Sequence, residues 1–211
     1  MHIHTEIGEI GIDHAGRSYR LRPSFAAMAS MGSPAEIVEL FGQVLGPPPT
    51  PTGHPWADAP RFKRWGRERF RAALTVLYAC SEDDIGPLVG GISPRMAYQP
   101  GAVPMDDVIT LAQSLLKHGV VGDVPAEAAK PKRGTYSKEF KARDFVALAM
   151  AHLGASEADA WAMTMTSFTL AMRAKFPPQA QPGDNSPSLD AQDATMSWLA
   201  AVNAKRSAAN G

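Results

Sequence analysis

Residues 60–80 read PRFKRWGRERFRAALTVLYAC. Phe62, Trp65, Phe70, Ala73, Leu77 and Cys80 recur at the spacing that gathers side chains on one side of an α-helix. Arg64, Arg67 and Arg71 fall on the opposite side. A segment apolar on one face and cationic on the other must cover its apolar face with other elements. The chain around it is therefore read as a helical domain built against this helix.

Upstream, PPPTPTGHPWADAP, 47–60, is too rich in proline for regular hydrogen bonding and predicts an extended connection. Before it, SPAEIVELFGQVLG predicts a helix over 33–45. Ser33 is the cap, Pro34 takes the first position, Glu36 completes a capping box and Gly46 ends the helix. PSFAAMASM, from Pro23, is a shorter helical piece. In TEIGEIGIDHAGRSYRLRP, Ile10 and Ile12 alternate with small or polar residues, Asp13 to Gly16 turn the chain, and Tyr19 and Leu21 resume the pattern. That is a β-hairpin.

Downstream, Ser81 caps an acidic EDD before IGPLVGGISP breaks the pattern. A helix is expected over 105–118, with Val108, Ile109, Leu111, Leu115 and Leu116 inward and Gly119 as terminator. VPAEAAKPKRGTYS, 124–137, reads as a second, locally basic connection. KEFKARDFVALAMAHLG predicts a helix over 138–153 with two adjacent apolar ridges, ending at Gly154. The next helix, 157–175, follows Ser156. FPPQAQPGDNSPS is a third loose segment, and Leu189 to Lys205 is a candidate terminal helix with Met196, Trp198, Leu199 and Val202. The expected organisation is a mainly α domain over 1–176, with an amino-terminal hairpin and Pro/Gly-rich connections, followed by a flexible tail over 177–211. Eighteen glycines and eighteen prolines accord with long connections.

Composition narrows the function classes. Twenty-one acidic and 21 basic side chains cancel, so no global field draws in nucleic acid or an anionic membrane. One cysteine excludes an intrachain disulfide, no secretory leader opens the chain, and no apolar run approaches the roughly 20 residues needed to span a bilayer. A cytoplasmic protein without a membrane partner is expected.

No enzymatic device stands out. Cys80 has no neighbouring His or Lys to activate it. GPLVGG at 86–91 lacks the lysine and the strand-to-helix setting of a phosphate loop. His2 and His4 would share one strand face, but a chain terminus rarely holds ligands in fixed geometry. EDD at 82–84 and the pair Asp106 and Asp107 are explained by helix starts, as His118 and His152 are by helix ends. The expectation is a protein that is not an enzyme and has neither cofactor nor metal. In RFKRWGRERFR, 61–71, aromatic and basic residues interleave as on single-strand-binding surfaces. The aromatics, however, share the apolar face, and Arg64 and Arg71 each lie within helical reach of Glu68. A solvated, salt-bridged face is the preferred reading, with nucleic-acid binding the alternative.

ASEADAWAMTMTSFTLAMRAKF, 155–176, is apolar on two sides when drawn as one continuous helix. Trp161, Phe168, Met172 and Phe176 gather around Met165, while Met163 and Leu170 point the other way. Such a helix is either sandwiched in a bundle or offers one Met-rich, adaptable face to another chain. Met163, Met165, Phe168, Leu170 and Met172 are the candidate partner-binding residues, and self-association is a further expectation.

GEIGIDHAGRSYRLRPSFAAMASMGSPAEIVELFGQVLG, SEDDIGPLVGGI and KARDFVALAMAHLGASEADAWAMTMTSFTLAMRAKFP together resemble a family encoded among the tail genes of tailed phages and prophages, whose members look like tail assembly chaperones. The resemblance covers most of residues 5 to 176 and leaves out the carboxyl tail. It implies a small helical protein that binds the long apolar tape measure protein while the tail tube polymerises and is then left out of the particle. A permanent virion tail component would share the same gene neighbourhood. The resemblance brings a role and no active-site residues.

Overall fold

A computed structural model describes residues 3–92, 98–123 and 138–177. Met1–Lys175 form one compact unit. The second unit, Phe176–Gly211, is described only at its first two residues, so the expected tail helix lies outside the described residues, as do the connection over 124–137 and His2. The described protein is mainly helical with an amino-terminal antiparallel hairpin, as the apolar spacing requires.

β1 (Ile10–His14) and β2 (Arg17–Leu21) pair with Ile12 opposite Tyr19 and Ile10 opposite Leu21. The two turn residues, Ala15 and Gly16, have φ of 50° and 76°, the left-handed pair that a tight hairpin of natural twist needs. A short 3₁₀ turn, Thr5–Ile7, precedes it. The far end of β2 is held to the helical body: Leu21 bridges Ser81, and the Arg22 amide donates to the Cys80 carbonyl at 2.7 Å.

α1 (Phe25–Ser30) starts where the Ser24 hydroxyl accepts from the Ala27 amide at 3.1 Å. α2 (Pro34–Leu45) has Pro34 at its start and the Glu36 carboxylate accepting from the Ser33 amide at 2.7 Å. α3 runs from Pro55 to Cys80, beginning a turn earlier than the expected Pro60. The cause is the Asp58 carboxylate, which accepts from the Thr52 amide and hydroxyl at 3.0 and 2.8 Å and from the Gly53 amide at 3.2 Å, closing the proline-rich connection onto the first turn. Of the expected apolar face, Phe70, Ala73, Leu77 and Cys80 are buried, whereas Phe62 and Trp65 are only partly covered. The core takes the second half of α3.

α4 (Gly86–Val89) is a single helical turn, followed by the two-residue strands β3 (Gly91–Ile92) and β4 (Tyr98–Gln99). α5 (Met105–Leu116) lies along α3 in the most extensive helix pair. It continues into a π-helical turn, Lys117–Val121, and stops at Gly122, with φ 84°. Gly119 is therefore not the expected terminator. It sits inside the π turn, where an added Cβ would come within 2.7 Å of Met28 Sδ, so its smallness serves packing. α6 (Ala142–Leu148) likewise passes into a π turn, Ala149–Leu153, and ends at the left-handed Gly154. α7 (Glu157–Ala162) and α8 (Met165–Lys175) complete the unit.

Phe25 of α1 is fully buried and joins the two ends of the domain. Its ring stacks on Phe145 at 5.7 Å and meets the edge of Phe168 at 5.9 Å, while Phe140 stacks on Phe145 at 5.5 Å.

Candidate functional site

The segment 155–176 is two helices, α7 and α8, separated by Met163 and Thr164. Ser156 caps α7 by accepting from the Asp159 amide at 3.1 Å. Met163 then turns to an extended conformation, and its carbonyl accepts from the Phe25 amide at 2.8 Å. Thr164 pairs with Ser24, so the chain briefly becomes a strand partner of the α1 entrance. α8 restarts with a reciprocal cap: the Thr164 hydroxyl accepts from the Ser167 amide at 3.1 Å, and the Ser167 hydroxyl accepts from the Thr164 amide at 3.0 Å.

This break resets the rotation of α8 relative to a continuous helix and sorts the five candidate residues. Met165 and Phe168 are buried in the core. Leu170 is 42% exposed. Met163 and Met172 are half-buried, packed on the core with part of their surface open. Thr164 and Thr166 are among the most buried polar residues described. The Thr166 hydroxyl lies 2.9 Å from His118 Nδ1 and accepts from the Asp123 amide at 2.9 Å, anchoring α8 to the π turn after α5. Burial holds the His118 ring below its ordinary pKa; Asp123 acts against this and Lys117 with it.

α8 also packs against the second π turn, and the Lys175 ammonium donates to the His152 carbonyl. Leu148 and Met150, at the end of α6 and in that turn, are 40% and 42% exposed. Adjoining elements of the carboxyl third thus each leave a large apolar side chain in solvent. Such surface can bury a partner's apolar groups, with the thioethers adapting to their shape.

The cationic side of α3 differs in part from expectation. Arg64 pairs with Glu68 at 2.7 Å, but Arg71 does not, and among the described residues neither Arg67 nor Arg71 has an ion-pair partner. Trp65 carries the Arg69 guanidinium 4.9 Å above its ring, and Phe70 is buried against the Tyr98 ring at 4.7 Å. Of the three rings that would stack on bases, Trp65 and Phe70 are thus engaged, and Phe62 is half-buried.

Sequence reasoning passed over Glu9, which is 1% exposed. Its carboxylate accepts from Arg20 and from the His4 amide at 3.0 Å, and lies 3.2 Å from Arg22 Nε. Burial pushes the Glu9 carboxyl up, but the Arg20 hydrogen bond, the His4 amide and the two guanidinium charges outweigh it and hold it below its ordinary value. Nothing local marked it, because a single Glu beside an alternating strand reads as a solvent residue until the arginines of β2 fold over it. The same arginines line a cleft of about 410 Å³ with Ser24, Ser81, Glu82 and Asp83, where both signs of charge balance. Cys80, on its wall, is 4% exposed, and burial pushes its thiol pKa up, away from nucleophilic chemistry. Among the described residues no three His, Cys, Asp or Glu side chains converge as a metal set, and no helix is long and apolar enough to cross a membrane.

Residues 21–194 match the model of a family of unknown function, DUF6246. The chain belongs to the DUF6246 family. No curated protein and no solved structure matches it. The DUF6246 match begins at Leu21, the last residue of β2, and takes in every helix described above. It therefore includes both the exposed apolar side chains of α6 to α8 and the basic face of α3, and leaves out most of the hairpin.

Proposed function

We propose that this DUF6246 protein is a tail assembly chaperone of a phage or prophage, working in the cytoplasm of the bacterial host, where it binds the tape measure protein. The observation that supports this reading is the division of α8. Met165 and Phe168 anchor one face in the core, while Leu170, with the half-open Met163 and Met172, is left toward solvent. A helix held rigidly from behind offers its free side chains without a further ordering cost, and methionines accept apolar helices of varied sequence. In this role Leu170, Met163 and Met172 make the contact, and Met165 and Phe168 set its position.

The test is co-expression with the tape measure protein. Burying a Leu side chain contributes roughly 1.5–3 kcal/mol, so Leu170→Asp is expected to weaken the complex by about tenfold or more and return the partner to the insoluble fraction. Leu170 is exposed, so thermal unfolding should match wild type. A folded Leu170→Asp variant that still keeps the tape measure protein soluble and co-purifies with it would sink the reading. Recovery of the protein in finished particles would favour a structural tail component instead.

A further inference from the structure

We propose that a second surface, separate from α8, receives an amphipathic segment of another protein chain that carries acidic residues beside its apolar ones. The surface is an open groove of about 920 Å³ between the end of α1 and the second half of α3. Its floor and walls include Met31, Leu74, Tyr78 and Ala79, and Tyr78 is 42% exposed although its hydroxyl is tied to the Gly90 carbonyl at 2.9 Å. Arg71 stands at the junction of this groove with a smaller cleft lined by Arg64, Arg67, Glu68 and Arg71. Within that cleft the one carboxylate is taken by Arg64, while Arg67 and Arg71, one helical turn apart, have no ion-pair partner among the described residues.

Charge and shape together define the occupant. An apolar trough ending in two uncompensated guanidiniums matches a helix with an apolar stripe and carboxylates on its flank: the stripe fills the trough, and the carboxylates accept from the guanidinium forks. A nucleic-acid strand would meet the arginines equally well. It would, however, leave the half-buried Met31 without an apolar partner, and on the arginine-bearing stretch of α3 it would find Trp65 carrying Arg69 and Phe70 buried.

The experiment uses the full chain and a fluorescent helical peptide about four turns long, with leucines on one face and glutamates flanking them. A matched peptide has Gln in place of every Glu, and oligo-dT of similar length is the third probe. Fluorescence anisotropy should show the Glu peptide binding at least about tenfold tighter than the Gln peptide. The Arg67→Glu/Arg71→Glu double variant should lose that preference. Thr75→Trp, at an exposed position on the groove wall, should block both peptides while leaving the thermal midpoint unchanged. Equal affinity for the two peptides, absence of binding, or Glu-peptide binding that survives both variants would overturn the proposal. Tighter binding of oligo-dT, abolished by the double variant, would reassign the surface to nucleic acid. A wild-type dimer in sedimentation that the double variant dissociates would reassign it to a second copy of this chain.

Discussion

Glu9 is the residue that ties the segment before β1 to β2. A carboxylate removed from water is tolerated only when its charge and lone pairs are met; here the Arg20 guanidinium and the His4 amide donate to it, and the Arg22 guanidinium adds its charge at 3.2 Å. The arginine side chains remain about a third exposed, at 34% and 36%, so water shares their charge, and the loss on mutation falls below that of a fully buried pair. Glu9→Gln should therefore lower stability near neutral pH by about 1–3 kcal/mol in urea denaturation. The sign of the pH dependence follows from the lowered pKa. The contribution is complete above the unfolded-state value, about 4.3, and is lost as pH falls through the folded value. The gap between wild type and variant should close in acid; a gap that stays constant to about pH 3 would contradict this account.

At the scale of the element, α8 is placed by its polar residues as much as by its apolar ones. The Thr166 hydroxyl meets both the Asp123 amide and the His118 ring. Thr166→Val keeps the shape but removes the hydroxyl from the half-buried His118 ring and from the Asp123 amide, which costs about 0.5–1.5 kcal/mol for each bond lost. Thr166→Ser retains the hydroxyl and should recover most of that loss, as read by thermal or urea unfolding. If Val and Ser variants were equally stable, packing rather than hydrogen bonding would position α8. His118 adds its own pH dependence. Its pKa is lowered in the folded state, so the unfolded chain takes up the proton first, and stability declines as pH falls below about 6.5.

For the whole unit Met1–Lys175, the Phe25 ring is the meeting point of segments far apart in the chain. It touches the rings of Phe145 and Phe168, and its amide binds Met163. Phe25→Ala empties the centre of this cluster and should cost about 3–5 kcal/mol. Because α1, α6 and α8 share the ring, hydrogen exchange should rise together in residues 25–30, 142–148 and 165–175. Faster exchange confined to α1 would mean that the unit does not unfold cooperatively.

Local chemistry alone determined the hairpin, the helix starts at Ser33 and Ser156, and the helices over 33–45, 60–80 and 105–118, since backbone geometry, capping and apolar spacing act over a few residues. Gly154 was legible as a stop for the same reason. What only the tertiary structure decided are the matters that depend on distant partners. Gly119 reads as a terminator until Met28 packs on it and the π turn carries the chain on to Gly122. The segment 155–176 reads as one two-faced helix until Met163 gives its carbonyl to Phe25 and Thr164 pairs with Ser24, a break that the local Thr164–Ser167 cap permits and the distant pairing fixes. That break separates the buried Met165 and Phe168 from the exposed Leu170, and the candidate surface could be sorted only after it. Glu9 belongs to the same class, as do Arg67 and Arg71, which have no ion-pair partner among the described residues. Whether a charge is buried, paired or free is set by which segments lie beside it, and periodicity along the chain carries no information about that.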